Sequence, residues 1–476
     1  MEQTNKKIIK RSQNFSDWYT SVINEAELIQ YTDVKGAMIF KPKGWVIWEN
    51  IQKILDQKFK EVGCKNVSMP TLIPIEEFEK EKDHVEGFAP ELFTVNQIGE
   101  KVLNKKMCLR PTSEIWFCKY FENEIKSYKN LPIKVNQWCN VFRAEKNTRP
   151  FLRNSEFYWQ ELHCAFSNSN DANNFAKEIL DIYAELCEKY LAIPVIKGQK
   201  TNREKFAGGD ITYTIESMMQ DGQALQSATS HYLGQNFSKA YDIKFQDKNN
   251  ELKIAYTTSH GLTTRIIGAI IMVHSDDNGL VLPFSIAETQ INIIPLLANK
   301  NPEINEYAQK IYNRLKNNYR CSIYNDSDKS LGYILSESET NGIPVNIIIG
   351  PNDLKNNTYT CKTRISNEKQ IYNFDNILDD INKIVLNYHS ELYTKAKKRL
   401  DENIIDVKNF EEFKEVINNS RWARCYFDDN DENEQKIKEI TGATARCIVE
   451  HNSPITKKCF YSGKDTNRIV IFAKAY

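Results

Sequence analysis

Arg143 and Glu145 stand two residues apart, and Phe157, Trp159, Glu161 and His163 follow one another at the same spacing. Side chains two apart share one face of a strand. The segments that carry them are Ile133-Lys-Val-Asn-Gln-Trp-Cys-Asn-Val-Phe142-Arg-Ala-Glu145 and Phe157-Tyr-Trp-Gln-Glu-Leu-His-Cys-Ala-Phe166. A polar loop with Arg149 and Arg153 joins them. Paired antiparallel, they offer one surface with a guanidinium, two carboxylates, two aromatic plates and an imidazole. The opposite faces carry Trp138 and Phe142, and Tyr158, Leu162 and Phe166, which suit a core. A core-facing surface would not tolerate so many polar groups without partners. Such a surface suits a flat, anionic, amine-bearing ligand.

Other elements must hold that surface in place. Trp45, Trp48, Ile51, Leu55 and Phe59 recur at three- and four-residue spacing and predict a helix over residues 44–62, with Gly63 closing it. Val67-Ser-Met-Pro70-Thr-Leu-Ile-Pro74 reads as a short strand whose prolines assign it to an edge or an interface. Thr112-Ser-Glu114 opens a second helix through Ile115, Cys118, Phe121 and Ile125, and residues 172–190 give a third. Residues 259–274 read as a turn leading into a buried helix with one arginine, Arg265. Gly268 costs that helix about 1 kcal/mol against alanine, which close packing can offset. From about residue 290, strands near 291–295, 321–324 and 345–349 alternate with helices, the pattern of a small α/β domain. Beyond about residue 395 the chain reads as charged and helical.

The chain has 476 residues, too many for one ordinary core, and two or three domains are expected. A 41% hydrophobic and 26% charged composition is that of a globular protein, and the net charge of zero advertises no nucleic-acid partner. Local basic runs such as Lys395-Ala-Lys-Lys-Arg399 read as solvated surface. Eleven scattered cysteines fit reduced thiols in a cytoplasm rather than a disulfide framework. No signal-like segment opens the sequence, and no apolar run is long enough for a bilayer. Asp428-Asp-Asn-Asp-Glu-Asn-Glu434 reads as a solvated face rather than a metal site. His84, His274 and His389 read as structural.

Taken together, these segments resemble the three signature motifs of class II aminoacyl-tRNA synthetases, and in detail the prolyl-tRNA synthetases of archaeal/eukaryotic type. Residues 67–74 match motif 1, 142–161 match motif 2 and 261–268 match motif 3. Arg110-Pro-Thr-Ser-Glu114, Thr148-Arg-Pro-Phe-Leu-Arg153 with Trp159-Gln-Glu161, and Thr229-Ser-His-Tyr-Leu-Gly-Gln-Asn236 are more specific to the prolyl enzymes. Gly350-Pro-Asn-Asp-Leu354 resembles the anticodon-binding domain, and Ala-Lys-Ala-Tyr476 the family's tail.

The resemblance implies an α+β catalytic domain on an antiparallel sheet (1–288) and an α/β anticodon-binding domain (289–392). A small α/β C-terminal domain (393–476), similar to the family's zinc-binding-like domain, completes the chain. It implies activation of L-proline with ATP, then transfer to tRNA(Pro), in a homodimer without membrane association. Arg143 would clamp the proline carboxylate and α-phosphate, a task that suits its planar fork of donors. Glu145 would accept from adenine, Phe157 would stack on it, and Arg153 and Arg265 would hold the outer phosphates, bridged by Mg²⁺. Gln226 and Thr229 would line the ATP pocket. Phe88, Thr112, Glu114, Trp159, Glu161, His163, His231 and Ser259 would surround proline. Motifs 2 and 3 lie too close together for a large editing insertion.

The chain departs from the family pattern in places. The close cysteine pairing of the relatives' zinc site is missing, so zinc is not expected; Cys425, Cys447, His451 and Cys459 are weak candidates. His260 stands where motif 3 is usually preceded by tryptophan, and Asn352 stands where relatives usually carry arginine. Two other readings remain: a non-catalytic synthetase-like protein that binds tRNA or proline, and a threonyl-type sister enzyme. Intact Arg143, Glu145 and Arg265 count against the first, and the lack of a catalytic zinc triad against the second.

Overall fold

A computed structural model describes residues 8–79, 92–326, 328–451 and 453–476. Phe88 and His84 lie outside the described residues. At the centre is an eleven-stranded sheet. Ile133–Phe142 and Glu156–Phe166 pair antiparallel, with Cys139 opposite Trp159 and Gln137 opposite Glu161. Tyr256–Thr263 follows on the other side of Glu156–Phe166, then Ala224–Gly234, Ile211–Met218 and Val195–Gln199, all antiparallel. Ser259–Thr263 is therefore part of a central strand rather than a turn: Ser259–Gly261 is paired on both edges, and Leu262 and Thr263 on one.

That strand runs directly into the helix Arg265–His274, whose residues after Arg265 are all buried. A helix apolar on every side belongs inside a core. Gly268 permits this: a Cβ there would stand 2.4 Å from Leu152 and 2.9 Å from the Tyr19 hydroxyl. The loop carrying Arg149 and Arg153 thus rests directly on the helix. The helix Pro42–Glu61 begins on a proline at its first turn and buries Ile47, Trp48, Ile51, Leu55 and Phe59. Gly63 follows it with φ +84°. The third helix, Ser169–Glu185, continues into a wider turn over Leu186–Tyr190.

The proline-bearing segment 67–74 holds a strand only at its end, and a second short strand precedes it. Lys65–Asn66 pairs parallel with the edge strand Ile133–Phe142, and Leu72–Pro74 joins a separate three-stranded sheet. Proline has no amide to donate to a ladder, and the loop between the strands is tied instead by Arg110. Its guanidinium donates to Met69 O at 2.7 Å and Asn140 O at 2.9 Å.

Residues 291–373 build a five-stranded sheet, three strands parallel and two antiparallel. Arg364 locks this unit to the chain after motif 3 through both oxygens of Asp276, at 2.9 and 2.6 Å. The helix Ile377–Asn403 runs unbroken through residue 392, so the expected boundary there falls within a helix. The terminal region is the α/β unit that the resemblance implies, rather than charged helix alone. Its strands Ile404–Asp406, Trp422–Tyr426, Thr444–Glu450 and Ile469–Ala473 continue the central sheet through a pairing of Ile448 with Gln199.

The acidic run 428–434 departs from a solvated face. Glu434 is 1% exposed, and Asp428 accepts from the Ser462 hydroxyl at 2.8 Å. Among the described residues, no helix is long and apolar enough to cross a membrane.

Candidate active site

A cavity of about 350 Å³ opens on one face of the central sheet. Its lining brings together Thr112, Glu114, Arg143, Glu145, Arg153, Phe157, Trp159, Glu161, His163, Gln226, Thr229, His231, Ser259 and Arg265. Strand parity accounts for Phe157, Trp159, Glu161 and His163. Gln226 and Thr229 are three apart, and both reach the cavity because the register against Ile211–Met218 slips between Ile215 and Glu216. A bulge of this kind shifts the phase of one strand by a residue.

At one end the carboxylates and the imidazole form a buried array. Glu161 accepts from the Thr112 hydroxyl and the Ser113 amide, each at 2.8 Å, and from Gln137 Nε2 at 3.1 Å. His163 lies 3.4 Å from Glu114 and 3.3 Å from Glu161, its ring stacked on Phe117 at 4.0 Å. Burial opposes charge on the imidazole, but Glu114 and Glu161 outweigh it and raise its pKa to about 9. Burial likewise opposes the Glu161 carboxylate, and the His163 cation with the Ser113 and Thr112 donors holds its pKa below the ordinary value. His231 is the opposite case. Burial, with the nearby His163 charge, lowers its pKa to about 3, and its Nδ1 shares a 2.9 Å hydrogen bond with Thr212.

Arg143 sits between the two ends. Its Nε donates to Pro111 O at 3.1 Å, and its guanidinium lies 5.3 Å from the Phe157 ring centroid and 5.6 Å from that of Trp159. Burial and the Arg265 cation pull its pKa down to about 10, against Glu161 and Glu145. Trp159 is oriented from the neighbouring strand, its Nε1 donating to Cys139 Sγ at 3.3 Å. Arg265 donates to Leu152 O at 3.2 Å, which ties the motif 3 helix to the motif 2 loop. Arg153 stands at the mouth, half exposed, 3.8 Å from Glu145. Beneath the loop, the Arg149 guanidinium is held between the rings of Tyr19 and Tyr476, at 5.0 and 5.1 Å.

His260 follows Ser259 and so faces the other way. Its side chain bonds Ser230 at 2.7 Å and Thr258 at 2.9 Å and meets Phe175 edge-on, although His260 still contributes to the cavity lining. Sequence reasoning missed Glu204, Lys205, Phe206 and Thr212, which also line the cavity. The zinc candidates do not come together as a set of four, although Cys425 and Cys459 share one core. Cys425 pairs with Val470 and Cys447 with Ile471, neighbours that point to opposite faces of the sheet. Among the described residues, no group of three His, Cys, Asp or Glu side chains could hold a metal.

Three family models match the chain: the class II tRNA synthetase core domain for G, H, P, S and T over residues 93–274, an anticodon-binding domain over 290–384, and the prolyl-tRNA synthetase C-terminal domain over 410–476. The proline--tRNA ligase of Ureaplasma urealyticum is 53% identical, aligned over 99% of both chains. The chain belongs to the prolyl-tRNA synthetase family. It is thus an aminoacyl-tRNA ligase of class II, an enzyme class of protein biosynthesis. The proline--tRNA ligase of Mycoplasma mobile is 49% identical over 99% of this chain and 98% of that one. A crystal structure of prolyl-tRNA synthetase from Cryptosporidium parvum, complexed with halofuginone and AMPPNP, superposes with a TM-score of 0.94 at 35% identity, covering 98% of this chain and 99% of that one.

Proposed function

We propose that the cavity condenses L-proline with ATP to prolyl-adenylate and pyrophosphate, and then passes the prolyl group to the 3′ end of tRNA(Pro). The observation that carries this reading is the placement of Arg143 between the Glu114–His163–Glu161 array and the group Glu145, Phe157 and Arg265.

Proline's carboxylate is a nucleophile at neutral pH and needs no general base. It needs alignment with the α-phosphorus and donors for the charge that spreads over the phosphate. Arg143 supplies both from its central position. Glu114, held by His163, receives the secondary ammonium. Trp159 covers the ring, and Ser259 and the neutral His231 close the pocket. Glu145 and Phe157 hold adenine by its amino group and its face, with Gln226 and Thr229 beside it. Arg153 and Arg265 take the outer phosphates. Phe88 belongs to the same proposal, though it lies outside the described residues.

A Mg²⁺ that arrives with ATP fits a cavity whose buried carboxylates at the proline end, Glu114 and Glu161, are already engaged by His163. Phosphate oxygens and water would be its principal ligands, and it would neutralise charge on the departing pyrophosphate. The dispersed candidates give no support to a zinc site.

Several finer assignments belong to the same reading. The motif details support the archaeal/eukaryotic subtype, and the thiol-rich composition supports a cytoplasmic setting. The motif 1 segment, with Leu72 exposed on its strand, supports a homodimer. The domains are taken as 1–288, 289–392 and 393–476, with the helix Ile377–Asn403 shared between the last two. Residues 169–254 contribute strands and a helix to the catalytic layer itself, which supports the absence of editing in cis.

Amino-acid-dependent ATP–pyrophosphate exchange tests the assignment across proline, alanine, cysteine, threonine, serine and glycine. Proline should dominate. No exchange with any of them, from folded protein that binds tRNA, would leave the regulatory reading in its place.

A further inference from the structure

The residues that follow Gln199 are gripped from the C-terminal domain. Lys200 Nζ donates to Glu216 Oε1 and Arg446 O, each at 2.8 Å, and the Arg446 fork donates to Glu216 Oε2 at 3.0 and 2.8 Å. All three side chains are buried. The Thr201 hydroxyl donates to Glu434 Oε1 at 3.2 Å, the Asn202 amide to Asp429 at 3.3 Å, and Arg203 to Gln435. The next three residues, 204–206, line the cavity. Phe206 lies 5.1 Å from the His231 ring, and its amide donates to Thr212, the hydroxyl that bonds His231. The grip therefore ends on the proline side of the cavity.

Glu434 is the member that structural need does not explain. It is buried in the first turns of the helix Asp431–Thr441, and among the described residues its Oε2 has no hydrogen-bond partner. Burial, opposed by the Thr201 bond, pushes its pKa up to about 7. A buried carboxyl with one unsatisfied oxygen is costly, and an apolar residue would serve packing better.

We propose that Glu434 is a positioning residue for proline binding: through Thr201 it fixes the cavity wall formed by residues 204–206. This rests on the reading of the cavity as the proline-activating site. Thr201 is the hinge point, since the chain before it is clamped by the Lys200–Glu216–Arg446 ions and the chain after it meets substrate.

Steady-state pyrophosphate exchange on the full chain tests this, with proline and ATP varied separately. Glu434→Ala should raise the proline KM about tenfold, the effect of losing one buried hydrogen bond, and move the ATP KM by less than about twofold. Glu434→Gln keeps an oxygen for Thr201 and should stay within about threefold of the wild type. Thr201→Ala should reproduce Glu434→Ala, and the double variant should be no worse than either, because the two act as one pair. An unchanged proline KM in Glu434→Ala or Thr201→Ala, or an equal rise in both KM values, overturns the proposal. If Glu434→Ala fails to fold, Thr201→Ala makes the same test from the catalytic side. A wild type without proline-dependent exchange would instead overturn the functional reading beneath it.

Discussion

Glu161 accepts the Thr112 hydroxyl at 2.8 Å, so a strand residue sets the position of one at a helix entrance 49 residues earlier in the chain. The same carboxylate faces His163 at 3.3 Å, and three elements meet at one buried charge. Removing one partner of a buried pair leaves the other uncompensated, at a cost of about 3–5 kcal/mol. Glu161→Ala should lower the unfolding free energy by no more than that, since Glu114 still faces His163 at 3.4 Å, and abolish proline use. A variant as stable as the wild type would mean that the array contributes little.

The pH response follows from His163. Its pKa of about 9 lies above the ordinary 6.5, so the stabilisation from its charge is complete below 6.5 and is lost as pH rises through about 9. Stability and proline affinity should fall together on the alkaline side, and His163→Asn should flatten that limb. Imidazole resonances of the purified protein provide the check; a His163 that titrates below neutrality would remove the basis of this prediction.

Arg143→Ala should reduce proline-dependent exchange by about 10²–10³-fold, the cost of deleting one group aimed at developing charge. Arg143→Lys should recover little, because a point charge cannot replace a planar fork. Near-normal exchange in the alanine variant would displace Arg143 from the reaction.

Gly268→Ala places a methyl group 2.4 Å from Leu152 and should cost about 1–3 kcal/mol by overpacking. Because Leu152 O also holds Arg265, the ATP KM should rise with the loss of stability. A destabilised variant with an unchanged ATP KM would show that the loop and the helix move independently.

A pocket for proline discriminates weakly against smaller residues, by about 1–3 kcal/mol per methylene. Alanine and cysteine should therefore be activated at low rates and the products should persist. Alanyl-tRNA(Pro) that disappears with this protein alone, faster than it hydrolyses spontaneously, would reveal an editing site.

The parts of the site legible in the sequence are those with a local period. The period of two along 133–142 and 157–166 identified which side chains share a surface, and the register with Cys139 opposite Trp159 agrees with it. Arg143 and Glu145, however, lie past the strand end at Phe142, so strand parity does not account for them. His260 is legible by the same rule, since alternation with Ser259 sends it beneath the sheet. What escaped depends on pairing between distant residues. Glu204, Lys205 and Phe206 sit in a loop without period, and Lys200, Glu216 and Arg446 look like surface charges until the sheet joins them. Glu434 was hidden in the same way, because an acidic run shows its charge but not which member turns inward. The placing of Lys65–Asn66 and Leu72–Pro74 in two different sheets also lies beyond local pattern, although Pro70 falls in the break between them.

The continuous sheet also bears on the order in which the enzyme is made. Thr201 and Glu434 are separated by 233 residues. At bacterial or eukaryotic rates of roughly 5–20 residues per second, the cavity wall waits on the order of ten seconds or more for its partner to be synthesised. Until then Gln199 presents a strand edge that Ile448 will later cover, and an uncovered edge invites pairing with other chains. The C-terminal strands thus act as a closing seam: a ribosome that stops short of them releases a molecule with most of its catalytic side chains, an open edge and an unsupported wall.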